Sequence, residues 1–308
     1  MTVRLTVDRA LWEAHVAATV DEVRPFADPV PVVKGNGYGF ERTRLAAIAA
    51  TFSNQICVGT VHELAGLPSG VDPVVLTPTL VGPSAAKAIL TVANPDHIQA
   101  LTATPHRVLV KLASSMRRYG GSTDLVTQAR AAGLDVIGVS IHPPIAGSDD
   151  HHIDDILRHL PEIDPELEIW VSHLSPAAAS SLPKDRKWKL RLGTALWHGE
   201  RSALHLSCDV LDVRPVRAGE VAGYHQHAIH HDGNLVMVGA GTANGVHPLQ
   251  DGRSPFHHRR TRLELVEPPH MHTSMLFCPA GLATPQVGDE LDLQRPLTWT
   301  QIDDFTWT

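Results

Sequence analysis

Residues 33 to 41 read Val-Lys-Gly-Asn-Gly-Tyr-Gly-Phe-Glu and directly follow Pro31 and Val32. The pattern predicts an apolar strand, a glycine-rich turn and then a helix, with Lys34 at the end of the strand. An amine beside an apolar strand end loses water, which disfavours its charged form and frees its lone pair to attack a carbonyl. We therefore expect chemistry at Lys34, with a Schiff base as its natural product.

The first two thirds of the chain repeat this alternation of strand-like runs and helical stretches, which predicts successive β-α units and a parallel sheet. Strands are predicted at residues 30–33, 55–59, 73–76, 107–112, 134–141, 167–172 and 189–192. Helices are predicted at residues 41–51, 61–67 and 122–132. Seven or eight such units in roughly 200 residues fit an α/β fold of the (β/α)8 TIM-like barrel type, with some short outer helices.

After about Leu206 the pattern changes to short runs separated by glycine and proline, which predicts a small β-domain. The strand candidates there are residues 209–216, 235–238, 262–266, 273–277 and 290–293. We therefore divide the chain into a barrel at residues 1–205 and a C-terminal β-domain at residues 206–308.

Composition restricts the possible partners and the compartment. The chain has 308 residues, and its 26 Lys and Arg minus 33 Asp and Glu give a formal charge of −7, so nucleic acid is not an expected partner. No apolar run approaches the ~20 residues of a membrane span, so we expect no membrane insertion. Three widely spaced cysteines favour reduced core thiols and a cytoplasmic protein.

The stretch at residues 33–41 resembles the Val-Lys-Ala-Asn-Ala-Tyr-Gly signature of alanine racemases, pyridoxal-phosphate enzymes built from a barrel and a β-domain. Further segments are similar to motifs of that family in the same order, over about residues 5–295. They are residues 111–120, 191–199, 219–224, 238–245, and 271–275 followed by 287–290. The resemblance implies pyridoxal 5'-phosphate as cofactor and racemisation of an amino acid as the activity.

The resemblance also implies the catalytic residues. Lys34 would carry the cofactor and move the α-proton on one face, and Tyr224 would act on the opposite face, since racemisation needs proton donors on both sides. Arg191 would face the pyridine nitrogen, where a guanidinium keeps that nitrogen unprotonated and favours proton exchange over transamination. His142 matches the family histidine that contacts this tyrosine and this arginine, although a lone strand-end histidine is more often structural.

The phosphate of the cofactor is assigned by resemblance to Tyr38, Ser175, Gly193 and Thr194, at the strand ends where barrels bind phosphate. Ser175 precedes a proline and an alanine run, so it also fits the N-cap of a helix. The Arg-Val-Pro-Arg-x-Tyr motif that follows the last family strand is not found here. We expect the cofactor to be held more loosely, or by a different arrangement of residues, as a result.

The substrate contacts implied by the resemblance are Arg118, Lys111, Met271 and His272. Arg118 would bind the substrate carboxylate, a contact that supplies roughly 1.5 to 3 kcal/mol. Lys111 matches a lysine that is carbamylated in some relatives, but Ala113 replaces the expected aspartate, so its modification stays open. Met271 and His272 stand where the family has a Met-Asp pair.

Two departures concern the family's Gly-Tyr-Ala-Asp-Gly turn, where this chain has Thr242 for the tyrosine and Asn244 for the aspartate. In the family these positions line the entrance and the carboxylate side of the substrate. A pocket without the entrance tyrosine admits a side chain larger than methyl. We therefore hypothesise a racemase that need not prefer alanine.

Histidine is unusually frequent at 20 residues. A His-x-His pair on a strand points both rings to one face and can chelate a divalent ion. His270 and His272 with Cys278 could imitate the metal site of D-threonine aldolases and D-serine dehydratases, which are related barrel enzymes. We favour decoration of loops, because neighbouring acidic ligands are not evident, and assign no metal.

Three classes of function stay open. The first is racemisation by Lys34 of one subunit and Tyr224 of another, which makes a head-to-tail homodimer part of the mechanism. The second is a metal-assisted pyridoxal-phosphate lyase acting on a D-hydroxy amino acid. The third is a pyridoxal-phosphate-binding protein without turnover, against which the β-domain and its tyrosine argue.

Overall fold

The computed structural model describes residues 3–83 and 87–308, which fold into two compact units. One unit is Glu13–Gly199, and the other combines the described residues up to Trp12 with Glu200–Thr308. The sequence-based division placed residues 1–205 in the barrel. In the structure the strand Val3–Val7 instead pairs antiparallel with the strand Leu204–Val216 and parallel with Asp304–Trp307.

Glu13–Gly199 contains an eight-stranded parallel sheet that is nearly closed into a barrel, which confirms the predicted fold class. Neighbouring strands follow the chain order, and the first strand pairs with the last. A bridge between Val32 and Cys57 links the first strand to the second. The strands are Asp28–Pro31, Gln55–Val58, Asp72–Val75, Ile89–Val92, Arg107–Lys111, Asp135–Ser140, Glu168–Ser172 and Lys187–Leu192.

Most of the helices are short, as expected for a barrel of so few residues, and the longest is Arg9–Val23. The α-helices are Arg9–Val23, Arg42–Ala49, Pro95–Ala100, Asp124–Ala131, Asp149–Leu157, Pro176–Ala179 and Thr194–His198. The 3-10 turns are Gly37–Gly39, Val61–Glu63, Leu160–Glu162, Arg201–Ala203, Thr242–Asn244 and Leu297–Trp299. The helix predicted at residues 61–67 is wrong, because only Val61–Glu63 is helical and Gly66 adopts a positive φ of 81° that ends any helix.

The second unit is a mainly antiparallel sheet domain, which confirms the β-domain predicted for the C-terminal part of the chain. Its longest strand, Leu204–Val216, pairs with Val3–Val7, Gly233–Val238 and Glu290–Leu293. A separate two-stranded ribbon joins Val221–Ala222 to His227–Ala228. The other strands are Phe256–His258, Thr261–Arg262, Glu264–Leu265, Ser274–Pro279 and Asp304–Trp307.

Each unit buries its own apolar core. In the sheet unit, Phe256, Leu276 and Leu291 are fully buried beside Cys208 and Cys278. All three cysteines of the chain are buried thiols. Within residues 3–83 and 87–308, no helix is both long and apolar enough to cross a membrane.

Candidate active site

The barrel brings most of the predicted site residues to one edge of its sheet. Parallel strands end on the same side, and residues at their carboxyl ends therefore share one mouth. Each of the following lies at or after the carboxyl end of a barrel strand: Lys34, Tyr38, Lys111, Arg118, His142, Ser175, Arg191, Gly193 and Thr194. Tyr224, Met271 and His272 lie in the sheet unit.

Lys34 follows the first barrel strand and is exposed at the open mouth. Surrounding atoms exclude water from its amine, which lowers the pKa of the amine, and the positive charges of Arg118 and Arg191 lower that pKa further. A larger fraction of the amine is therefore uncharged near neutral pH than in a solvated lysine. That state is the one that attacks a carbonyl.

Arg191 is the fixed centre of the mouth, with 7% of its surface exposed. Its Nε donates to Val171 O at 3.2 Å, Nη1 to Ser140 Oγ at 3.0 Å, and Nη2 to Ile141 O at 2.8 Å and Ser172 Oγ at 3.3 Å. Burial lowers the pKa of the guanidinium to about 10, so it stays charged at neutral pH. Because the barrel backbone holds it, this cation is pre-oriented.

His142 lies against Arg191 through its Nδ1, which is 3.4 Å from Nη2 and accepts a short hydrogen bond from the Ser172 hydroxyl. Burial and the charge of Arg191 lower the pKa of His142 to about 2. The ring is therefore neutral, and since Nδ1 accepts, the proton resides on Nε2. His142 can then donate one hydrogen bond from Nε2.

Lys111 ends the fifth barrel strand and is buried, with a pKa lowered to about 7 by desolvation and by the charges of Arg191, Arg118 and Lys34. Arg118 is exposed in the following loop, its guanidinium carbon 5.0 Å from the Tyr119 ring centroid. Among the described residues, no carboxylate lies within 4.0 Å of the cationic nitrogens of these four side chains. Glu63 acts on Lys34 from a greater distance, but the four basic side chains outnumber it, so the mouth carries a positive potential that attracts anions.

Tyr38 and Gly193 approach each other closely at the same mouth. Tyr38 is buried at a positive φ of 57°, and burial raises the pKa of its phenol to about 12. A Cβ on Gly193 would lie 2.4 Å from Tyr38 Oη, so any larger residue there would displace the buried phenol. His198 donates from Nε2 to Tyr38 O at 2.7 Å. Thr194 is exposed at the start of the helix that follows.

Ser175 is the N-cap of the short helix Pro176–Ala179, which confirms the capping interpretation. Its Oγ accepts from Ala178 N at 3.1 Å and donates to Asp149 Oδ2 at 2.5 Å. The hydroxyl retains a further acceptor lone pair but its proton is engaged. A phosphate would therefore compete with Asp149 for this donor.

Tyr224 lies in the turn of the two-stranded ribbon and is 81% exposed. Its ring centroid is 4.6 Å from that of His270. Met271 and His272 follow His270 in an exposed loop, which is joined to the 3-10 turn Thr242–Asn244 by two backbone bonds. Three predicted site residues, Tyr224, Met271 and His272, thus form one loop cluster of the sheet unit.

The two substitutions in that turn differ in environment. Thr242 is exposed. Asn244 is buried, and its Nδ2 donates to Gln301 O at 3.1 Å and Asp303 Oδ2 at 3.0 Å, so it anchors a following segment rather than lining an entrance. Among the described residues, no group of three His, Cys, Asp or Glu side chains is arranged to hold a metal ion, and Cys278 is buried in the sheet core.

Several side chains at these two places were not singled out from the sequence. Cys57 lies inside the barrel near Lys34 and Arg191, and burial raises its pKa to about 12, so the thiol is neutral. Ser140 and Ser172 each end a barrel strand, and this position alone could have identified them. Glu267, buried behind the Tyr224 turn, has no local sequence signal.

The comparisons with known proteins agree with this geometry. A family model described as "Alanine racemase, N-terminal domain" matches residues 7–200. The chain belongs to the alanine racemase family. The alanine racemase of Mycolicibacterium vanbaalenii is 29% identical over 276 residues, covering 76% of this chain and 70% of that protein. The alanine racemase of Mycobacterium leprae is 27% identical over 265 residues, covering 72% and 68%.

Solved alanine racemases share the fold of this family member. That of Bartonella henselae, whose structure has covalently bound pyridoxal phosphate, matches with a TM-score of 0.76 at 17% identity and covers all of both chains. That of Streptomyces lavendulae matches with a TM-score of 0.75 at 20% identity, covering 100% of this chain and 97% of that one. At these identities the structures establish the barrel and sheet fold.

Proposed function

We propose that the chain is a pyridoxal-phosphate-dependent amino-acid racemase that moves the α-proton between two bases. Family membership supports the racemase class and the cofactor. The observation that carries the proposal is the Lys34 amine at the barrel mouth, whose pKa is lowered by partial loss of water and by the charges of Arg118 and Arg191. Such a mouth suits a cofactor with an aldehyde, a phosphate and a ring nitrogen.

The residues at the mouth fit each part of that cofactor. Lys34 would bind the aldehyde carbon covalently. A Cβ on Gly193 would fill the gap between this residue and Tyr38 Oη. That gap suits a phosphate held by the phenol and by the backbone N–H groups of Gly193 and Thr194. Ser175 would contribute its hydroxyl to the phosphate only by giving up its bond to Asp149. When bound, pyridoxal phosphate withdraws electrons from the α-carbon of an attached amino acid and so eases loss of its α-proton.

Arg191 would face the ring nitrogen and set the reaction type. The bonds in the mouth use its Nε hydrogen, both Nη2 hydrogens and one Nη1 hydrogen, which leaves one Nη1 donor. A guanidinium donates and does not give up its proton, so Arg191 would leave the ring nitrogen unprotonated. Weaker electron withdrawal favours return of the proton to the α-carbon over transamination.

Proton transfer would use Lys34 on one face of the substrate and Tyr224 of the partner subunit on the other. The 81% exposure of the phenol supports a role at a surface that another subunit covers. His142, with its proton on Nε2, would donate to that phenolic oxygen and stabilise its negative charge. This arrangement makes a homodimer with shared sites part of the proposal.

The substrate would enter as an α-amino acid with a free carboxylate. Arg118 is exposed at the mouth and would bind this carboxylate, while Lys111 behind it adds positive charge. Met271 and His272 would contact the substrate from the loop cluster. Exposed Thr242 in place of a tyrosine supports acceptance of a side chain larger than methyl.

Incubation of the purified protein and pyridoxal phosphate with a panel of L-amino acids, followed by chiral chromatography, tests this function. We expect D-enantiomers of one or more amino acids, including a side chain larger than methyl. Borohydride reduction and peptide mass should place the cofactor on Lys34. Strict preference for alanine would refute the enlarged pocket, and absence of any D-product despite bound cofactor would refute racemisation.

A further inference from the structure

A buried carboxylate lies directly behind the turn that carries Tyr224. The Glu267 side chain is 1% exposed, and its Oε1 accepts from Tyr224 N at 3.0 Å. Its Oε2 accepts from His225 N at 3.4 Å, and His270 Nε2 donates to Oε1 at 2.7 Å. His227 Nε2 is 3.8 Å from Oε2. One carboxylate thus accepts from two backbone N–H groups and one imidazole, and a second imidazole lies near it.

The bonds to Glu267 are charge-assisted because the carboxylate is ionised. Burial opposes ionisation, but hydrogen bonds from Tyr224 N–H, from His270 and from His225 N–H outweigh it and hold the pKa of Glu267 below its usual range. Hydrogen bonds to an ionised acceptor are shorter and about twice as strong as neutral ones. The carboxylate therefore restrains the backbone of the turn.

Gly223 fixes the distance between the turn and the carboxylate. Its φ is +81°, and a Cβ there would lie 2.5 Å from the carboxylate of Glu267. Only glycine allows this approach without strain. The turn backbone therefore rests directly on the carboxylate and has little freedom to shift.

His270 connects the same carboxylate to the phenol ring. Its ring lies 4.6 Å from the Tyr224 ring at 58°, a tilted aromatic contact. The Nε2 bond to Glu267 sets the orientation of the imidazole, and His270 O accepts from Thr242 N at 2.8 Å, which holds the loop. The imidazole thus packs in a fixed orientation against one side of the Tyr224 ring, which is otherwise exposed.

We propose that Glu267 and His270 are positioning residues that hold the Tyr224 phenol in one orientation for proton transfer. The inference rests on the proposed function of Tyr224. An exposed tyrosine on a short ribbon would otherwise sample several rotamers. Misplacement of a reacting group by about 1 Å can lower a rate about 100-fold, so the restraint affects catalysis.

Two variants break the restraint in different ways. His270→Phe keeps an aromatic ring against Tyr224 but removes the bond to Glu267. Glu267→Gln keeps the shape of the side chain but removes its charge. The matched control is His205→Phe, which removes the same kind of contact, His205 Nε2 to Asp292 Oδ1 at 2.8 Å, elsewhere in the sheet unit.

Activity, thermal unfolding and isotope effects are measured on the cofactor-loaded enzyme. We expect both variants to keep cofactor bound at Lys34 and to lose about 10- to 100-fold in kcat/KM, while His205→Phe stays at the wild-type rate. The α-deuterium isotope effect should rise for the enantiomer whose proton Tyr224 removes and fall for the other. Substrate recovered from the other enantiomer should gain more solvent deuterium than with wild type.

Loss of correctly folded protein would lower activity but leave both isotope effects unchanged, and that result would overturn the positioning role. His270→Phe maintains the test if Glu267→Gln does not fold, because Glu267 still binds the turn backbone. Tyr224→Phe separates the two proposals. If it racemises at the wild-type rate, the proposed function of Tyr224 is wrong. If it is inactive while both variants behave like His205→Phe, only the positioning inference is wrong.

Discussion

Arg191 and Tyr224 show how differently the two units present a side chain. Arg191 is 7% exposed and held by bonds from strand ends of the same barrel, whereas Tyr224 is 81% exposed and touches one neighbouring ring, that of His270. The barrel therefore builds its part of the site alone. The sheet unit presents Tyr224 at its surface, and the proposed function of Tyr224 requires a second subunit to cover it.

The charges of the two regions differ in the same way. Four basic side chains at the barrel mouth have no carboxylate within 4.0 Å among the described residues, while the Tyr224 turn is organised around the ionised carboxylate of Glu267. A positive mouth binds anionic groups of ligands. A carboxylate that accepts backbone N–H groups restrains its own loop. The first region is thus suited to binding and the second to positioning.

The largest expected effect comes from removing one base at a time. Lys34→Ala should abolish both covalent attachment of the cofactor and racemisation, by about 1,000-fold or more. Tyr224→Phe should lose a similar factor in racemisation but keep the cofactor attached, because the phenol belongs to the other region. Absorbance before and after borohydride, with chiral chromatography, measures both. Cofactor bound covalently to Lys34→Ala would show that the anchor is assigned wrongly.

A smaller effect concerns the buried charge of Lys111 in cofactor-free protein. The folded pKa of about 7 lies below the ordinary 10.5, so between these values the unfolded chain binds more protons and stability rises with pH. Relative to Lys111→Met, the wild type should gain about 1 to 3 kcal/mol in free energy of unfolding from about pH 6 to about pH 9. Urea titrations at several pH values measure this difference.

Lys187→Met is the matched control, because Lys187 is exposed and its pKa is raised by the hydrogen bond from its ammonium to Glu166. A lysine with a raised pKa stays protonated across this window, so the control difference should not change with pH. A flat difference for Lys111→Met as well would contradict the desolvation of Lys111.

The smallest expected effect comes from filling the gap between Gly193 and Tyr38 Oη. Gly193→Ala puts a methyl group 2.4 Å from Tyr38 Oη, which should cost about 1 to 2 kcal/mol in stability and weaken cofactor binding. Gly70→Ala, where a Cβ meets nothing within 4 Å, should change neither. Thermal unfolding and cofactor titration compare them. Equal cofactor affinity in both variants would show that the gap between Gly193 and Tyr38 Oη is not part of the phosphate site.

The barrel mouth was predictable because its residues follow strand ends and carry a local motif, as at Lys34 and Arg191. The strand pairing and the buried residues of the sheet unit were less predictable from the sequence. Val3–Val7 alternates apolar and polar residues, but its partners, Leu204–Val216 and Asp304–Trp307, lie some 200 residues or more away and share no pattern with it. Glu267 reads as a solvated acid between short runs, and only the folded turn shows that it is buried.

The strand Ile89–Val92 was missed for a further reason. It is four residues long and wholly buried, as is the predicted strand Gln55–Val58, so both lack the alternation that identifies a strand with one solvated face. Central barrel strands of this kind are recognised by length and flanking turns. Here residues 85–88 read Ala-Ala-Lys-Ala, which are helix-forming residues and give no turn signal before the strand.

Mixing two inactive variants tests the central claim, that each site joins the barrel of one subunit to the Tyr224 turn of another. Lys34→Ala and Tyr224→Phe are unfolded together, refolded and assayed for racemisation with excess cofactor. Random pairing should make half of the dimers mixed, each with one intact site, and restore roughly a quarter of wild-type activity. Activity no higher than that of either variant alone would contradict a site shared between subunits.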